Sequence, residues 1–168
     1  MQTFSDMQRN RSDIQSIKFF IFCVFLVWYE LLSAVYAILP PLIGLFFAYV
    51  ISLNNQALKK MEDYTKSWYL AFLFLVFAEQ IHGFELFSSI FAFIFYYYFL
   101  HEWLSTNFKL YQGMLIVYVC SAYILIFCVS NIILYIKDQA LLQIYKEYLY
   151  YMVFESFLAL FVFRDKYL

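Results

Sequence analysis

The sequence predicts an all-α fold: a polytopic integral membrane bundle of about six transmembrane helices, with both termini cytoplasmic. Three observations lead there: a large apolar excess, hydrophobic runs of spanning length broken by short polar patches, and a one-sided distribution of Lys and Arg. Of 168 residues, 65% are hydrophobic and 14% charged, whereas soluble domains average about half apolar and about a quarter charged. A single water-soluble core of this size leaves much of its chain facing solvent. A bilayer removes that difficulty by solvating the apolar surface itself.

Residues 1–16 are polar and read as a cytoplasmic tail, 17–164 as one six-helix domain, and 165–168 as a cytoplasmic end. The first apolar run, from Ile17 to about Leu53, is interrupted by Glu30 and Pro40-Pro41. It exceeds the ~20 residues of a single span. Consecutive prolines restrict the backbone before them and suit the first turn of a following helix. The run therefore divides into a first helix over 17–37 and a second over 40–54. A cleavable leader ending near Val35-Tyr36-Ala37 is disfavoured, because its core would hold Glu30 and the apolar run continues past the site.

Asn54-Asn55-Gln56 to Lys66 reads as the longest loop. A third helix follows from Ser67 to His82, a tight turn at Gly83, and a fourth helix from Phe84 to Trp103. Leu104 to Leu110 reads as a short loop. The fifth helix, Tyr111 to Ile136, is the cleanest span. Lys137-Asp138-Gln139 leads to a sixth, Tyr145 to Phe163. With six spans, the two termini and the 2–3 and 4–5 loops share one side. That side carries Arg9, Arg11, Lys18, Lys59, Lys60, Lys66, Lys109, Arg164 and Lys166, against Lys137 and Lys146 opposite. Cytoplasmic loops are enriched in Lys and Arg, so the count places both termini inside.

The net charge of −1 offers no basic field for nucleic acid. Cys23, Cys120 and Cys128 sit in apolar runs without a CxxC pair and read as small buried hydrophobes. No Gly-rich phosphate loop, G-x-S-x-G string or metal-ligand spacing is present, so no catalytic residue, cofactor or metal is assigned. Charged groups inside spans are costly and are the default functional candidates. Glu30, Glu79 and Glu155 qualify. Counted at ~1.5 Å per residue from the cytoplasmic helix ends, they lie at depths of about 20, 18 and 14 Å. His82, three residues after Glu79, shares its helix face and is the nearest base. The carboxylates read as interhelical hydrogen-bonding groups, as proton or cation carriers, or as a recognition surface for another membrane helix.

This layout resembles the MreD family of rod shape-determining membrane proteins. The resemblance covers most of the chain by arrangement rather than identity. It rests on the Pro-initiated second helix, Pro40-Pro41-Leu42 followed by Leu45-Phe46-Phe47-Ala48-Tyr49, and on Glu79-Gln80-Ile81-His82-Gly83 before Phe84-Glu85-Leu86. The sequence departs from the family in having Glu79 where Asp is usual and Glu85-Leu86 where a second Gly stands. Its last helix carries Glu155-Ser156 and no Pro. The resemblance implies a non-enzymatic scaffold in a bacterial inner membrane that supports cell shape and peptidoglycan elongation. The implied partners are the lipid bilayer, an MreC-like protein, a penicillin-binding protein and, indirectly, MreB. Glu30, Glu79, His82, Gly83 and Glu155 are then the partner- or solute-binding candidates. The fold implied is also similar to substrate-binding subunits of energy-coupling-factor transporters, so the alternative is a small-solute-binding or transport subunit. An intramembrane enzyme is the third and weakest class.

Overall fold

The computed structural model describes residues 2–61, 63–107, 111–143 and 145–163, with the side chains of 2–15, 105, 111 and 112 excepted. All of its regular structure is helical: α1 (Gln2–Val35), α2 (Ile43–Lys60), α3 (Lys66–Ile81), α4 (Ser88–Phe95), α5 (His101–Asn107), α6 (Tyr111–Ile136) and α7 (Lys146–Val162). A π-helical turn, Tyr96–Leu100, joins α4 to α5. Those two and the turn form one continuous rod, so the described residues make six helical segments. We call the end holding the α1–α2, α3–α4 and α6–α7 connections the upper end, and the end holding the α2–α3 connection the lower end.

α6 is the hub and packs against α2, α4 and α7. Its buried stripe runs Leu115, Tyr118, Val119, Ala122, Tyr123, Ile126, Ser130, the three- and four-residue spacing that keeps one helix face inward. The opposite stripe, Ile124, Cys128 and Ile132, faces outward. Cys128 is thus exposed rather than buried as its apolar surroundings predict, because its register on α6 points away from the hub.

Large apolar side chains cover the outside, and small or polar ones fill much of the inside. On α7, Leu149, Val153, Phe157 and Phe161 form an exposed stripe, while Glu155, Ser156 and Ala159 point inward. Ala48, Ala71, Ala78, Ala92 and Ala122 are likewise buried and let the helix backbones approach closely. Two stretches, Ser16–Val35 and Gly113–Ile136, are long and apolar enough to cross a membrane.

Helix boundaries differ from the sequence reading in five places. α1 begins at Gln2, so the polar tail continues the helix. α2 starts at Ile43, because Leu42 adopts a left-handed conformation after the buried Pro40-Pro41 pair. It then continues to Lys60, since Asn54 is buried on its inner face, and the predicted long loop shrinks to the residues around 61–65. The fourth segment starts at Ser88 rather than Phe84 and its helix extends to Asn107. Lys109 and residues 164–168 lie outside the described residues. At the Tyr96-Tyr97-Tyr98 run, the π turn buries Tyr96 and leaves Tyr98 exposed.

Candidate functional site

Gly83 terminates α3. Its φ of +74° is open to glycine without steric cost, and the Phe84 N–H donates to the Glu79 carbonyl at 2.9 Å. That six-residue closure is a Schellman C-cap. It reverses the chain so that residues 84–87 pass back over the upper end. The turn is pinned to α6, where the Glu85 N–H donates to Ser130 Oγ at 3.3 Å and the Lys137 ammonium pairs with the Glu85 carboxylate.

The turn delivers the start of α4 to Glu79. Oε1 accepts from the Phe87 N–H at 2.5 Å, and Oε2 accepts from the Ser89 N–H at 2.7 Å and the Ser88 hydroxyl at 3.1 Å. The first N–H groups of a helix have no intrahelical acceptor, and a carboxylate there also meets the positive end of the helix dipole. Glu79 therefore caps a neighbouring helix from a position eight or more residues earlier in the chain.

Glu155 does the same for α2. Its Oε2 accepts from the Leu45 N–H at 2.9 Å and its Oε1 from the Tyr123 hydroxyl at 2.5 Å. Three helices meet at this carboxylate, and Gly44 makes room for it. A Cβ on Gly44 would lie 2.7 Å from Val119 Cγ1 and 2.9 Å from Glu155 Oε2 and Tyr123 Cε2.

Glu30 is the third buried carboxylate and the least satisfied. His82 Nε2 lies 3.0 Å from its Oε1, a close ion-pair distance that lacks hydrogen-bond alignment, and Oε2 has no hydrogen-bond partner among the described residues. The same Nε2 is 3.1 Å from Ser33 Oγ, whose proton goes to the Glu30 carbonyl at 2.8 Å. A serine–histidine–carboxylate relay needs the hydroxyl and the carboxylate on opposite ring nitrogens. Here both approach Nε2, so the geometry clamps α1 to the end of α3 and does not activate Ser33. Nearby, the Tyr29 hydroxyl donates to the Pro40 carbonyl at 3.0 Å and the Tyr151 hydroxyl to the Ala37 carbonyl at 2.7 Å.

The five sequence candidates do not form one site: Glu30, Glu79, His82 and Gly83 lie near the upper ends of α1 and α3, and Glu155 lies about midway along α7. Sequence reasoning paired His82 with Glu79. The structure corrects this: Glu79 is turned to α4, while His82, at the C-cap of α3, reaches α1. Glu30 is close enough to Glu155 and Tyr123 to act on both electrostatically. Gly44, Ser88, Ser89 and Tyr123 were missed as site residues. Only Gly44 carried a signal, as a glycine in the first turn of a helix after two prolines. Among the described residues no group of three or more His, Cys, Asp or Glu could hold a metal ion. Three surface cavities have walls built almost wholly of apolar side chains. Comparison of the chain with known protein families, curated proteins and solved structures finds no match.

Proposed function

We propose that the chain is a six-span membrane protein with its lower end and both termini in the cytoplasm, acting as a non-enzymatic scaffold similar to MreD. The membrane placement is supported by the surface, which exposes many large Phe, Leu, Ile and Val side chains while Glu30, Glu79 and Glu155 are buried. It is also supported by the charge count, since Lys18, Lys59, Lys60 and Lys66 fall at the lower end. The shorter α3 and α7, with 16 and 17 residues, reach about 24–26 Å at 1.5 Å per residue, close to the ~30 Å hydrocarbon core.

One observation carries the scaffold reading. Glu79 and Glu155 spend their hydrogen-bonding capacity on capping α4 and α2, so two of the three intramembrane carboxylates serve the bundle's own geometry. A polar-solute site instead needs convergent polar groups lining a cavity, and the three cavities described above are apolar. In an inner bacterial membrane, a rigid bundle with an apolar exterior would hold an MreC-like protein or a penicillin-binding protein of the elongation machinery by helix packing.

A second reading, a small-solute-binding or transport subunit, is favoured by the unpartnered Oε2 of Glu30. A mild-detergent pull-down of the tagged chain with mass spectrometry separates the two. Co-purification with an MreC-like protein or a penicillin-binding protein supports the scaffold. Recovery of a lone chain carrying a small polar molecule overturns it in favour of transport.

A further inference from the structure

α1 is joined to the bundle mainly at its upper end, where Glu30 and Ser33 are buried against α3. Below that clamp the helix stands away. Phe19, Phe22 and Leu26 of α1 face Phe46 of α2 and Leu70 and Phe74 of α3 across an open slot of about 430 Å³. Its floor is packed, with Phe46 and Phe74 ring centroids 4.0 Å apart. The slot runs along α1 from Phe19 to Val27, roughly 12 Å at 1.5 Å per residue. Its lining reaches Phe19 and Ser67 toward the lower end, its lower mouth, and Val27 and Phe77 toward the Glu30–His82 clamp.

Charge gathers at that lower mouth. Lys18 directly precedes the lining residue Phe19, and Lys66 directly precedes the lining residue Ser67. Both lysines are exposed, and neither is in an ion pair among the described residues. Lys59 and Lys60 end α2 on the same side, opposed by Asp63 among the described side chains. An apolar cleft with cationic groups at one mouth complements an amphiphile with an anionic head. A partner helix is a poor fit: at about 10–12 Å across, it would have to force α1 off α3 against the clamp. A methylene chain would not.

We propose that this slot binds one acyl chain of an anionic phospholipid from the leaflet at the lower end, with the lipid phosphate held between Lys18 and Lys66. Basic pockets between membrane helices on the cytoplasmic side bind anionic head groups in this way. The proposal rests on the membrane placement above and is independent of the scaffold's partner.

The test uses the full chain. Carbonate extraction of membranes first checks the placement: release of the chain would sink the membrane reading and the slot with it. For chain that stays in the membrane, native mass spectrometry in detergent is run with added phosphatidylglycerol or phosphatidylcholine. The expected result is a one-to-one adduct with phosphatidylglycerol that outlasts the phosphatidylcholine adduct. Lys18→Gln with Lys66→Gln should weaken the anionic adduct by roughly 10- to 30-fold, down to the phosphatidylcholine level. Val27→Trp, or Leu70→Trp from the facing wall, should remove both adducts while circular dichroism stays helical. Phosphatidylglycerol retention unchanged in the tryptophan or glutamine variants overturns the proposal. So does a photo-crosslinker at Phe22 that captures protein in place of lipid.

Discussion

His82 Nε2 and Glu30 Oε1 lie 3.0 Å apart, and this contact links the last turns of α1 to the C-cap of α3. Glu30 is fully buried and the His82 side chain is largely buried, so each is costly without the other. Removing one partner of a buried pair costs more than replacing both. His82→Ala is therefore expected to destabilise the chain by about 1–3 kcal/mol, and adding Glu30→Leu to it should recover part of the loss. Thermal unfolding in detergent across the four-member mutant cycle measures this. Additive losses would show that the two side chains are not coupled.

Glu79 and Ser89 give a second expectation. Glu79→Ala leaves the Phe87 and Ser89 N–H groups without acceptors, at a cost of about 1–3 kcal/mol. Ser88→Ala removes only one of three donors and should cost about 1 kcal/mol or less. Amide hydrogen exchange reads the effect locally. Faster exchange at Phe87 and Ser89 in Glu79→Ala, with α7 unchanged, is the expected pattern, and uniform acceleration would contradict the capping role.

Gly44 should tolerate nothing larger. Gly44→Ala brings a methyl group within 2.9 Å of Glu155, Tyr123 and Val119, so α2 must shift away from α6 and α7. Overpacking of this kind costs about 1–3 kcal/mol. Gly83→Ala meets no neighbour within 4 Å but must hold φ +74°, which costs about 1–2 kcal/mol. The two substitutions have similar size and different cause. Val119→Ala removes one of the obstructing side chains, so a double-mutant cycle with each glycine variant separates them. Coupling should appear with Gly44→Ala and be absent with Gly83→Ala.

Much of the architecture was legible because it depends on local pattern. The sixth predicted helix, Tyr145 to Phe163, matches α7 to within about a residue, and Gly83 turned the chain where its backbone freedom indicated. The three buried carboxylates were recognisable as charges inside apolar runs. Their partners were not. Glu155 answers an amide at Leu45 and a hydroxyl at Tyr123, positions that periodicity cannot connect because only the packing of α2, α6 and α7 brings them together. The extension of α2 through Asn54-Asn55 was hidden for a related reason: polar residues read as loop until a neighbouring helix buries them. His82 shows the limit most clearly. Spacing put it on the face of Glu79, yet Glu79 was already taken by α4, and the imidazole went to α1.

The number of spans is the point on which the functional reading turns, and two loop positions decide it. Among the described residues, only Ser16–Val35 and Gly113–Ile136 meet the length and hydropathy of a span outright. If those two alone crossed, with the N-terminus inside, the 61–65 connection would be outside and residues 137–145 inside. Six spans predict the reverse. With Cys23, Cys120 and Cys128 replaced by alanine, Lys60→Cys and Gln139→Cys supply one thiol each. A membrane-impermeant maleimide added to intact spheroplasts should label Gln139→Cys and spare Lys60→Cys, with both labelled after lysis. The inverse pattern would leave only α1 and α6 in the bilayer, and the carboxylate caps of α2 and α4 would then belong to a domain outside it.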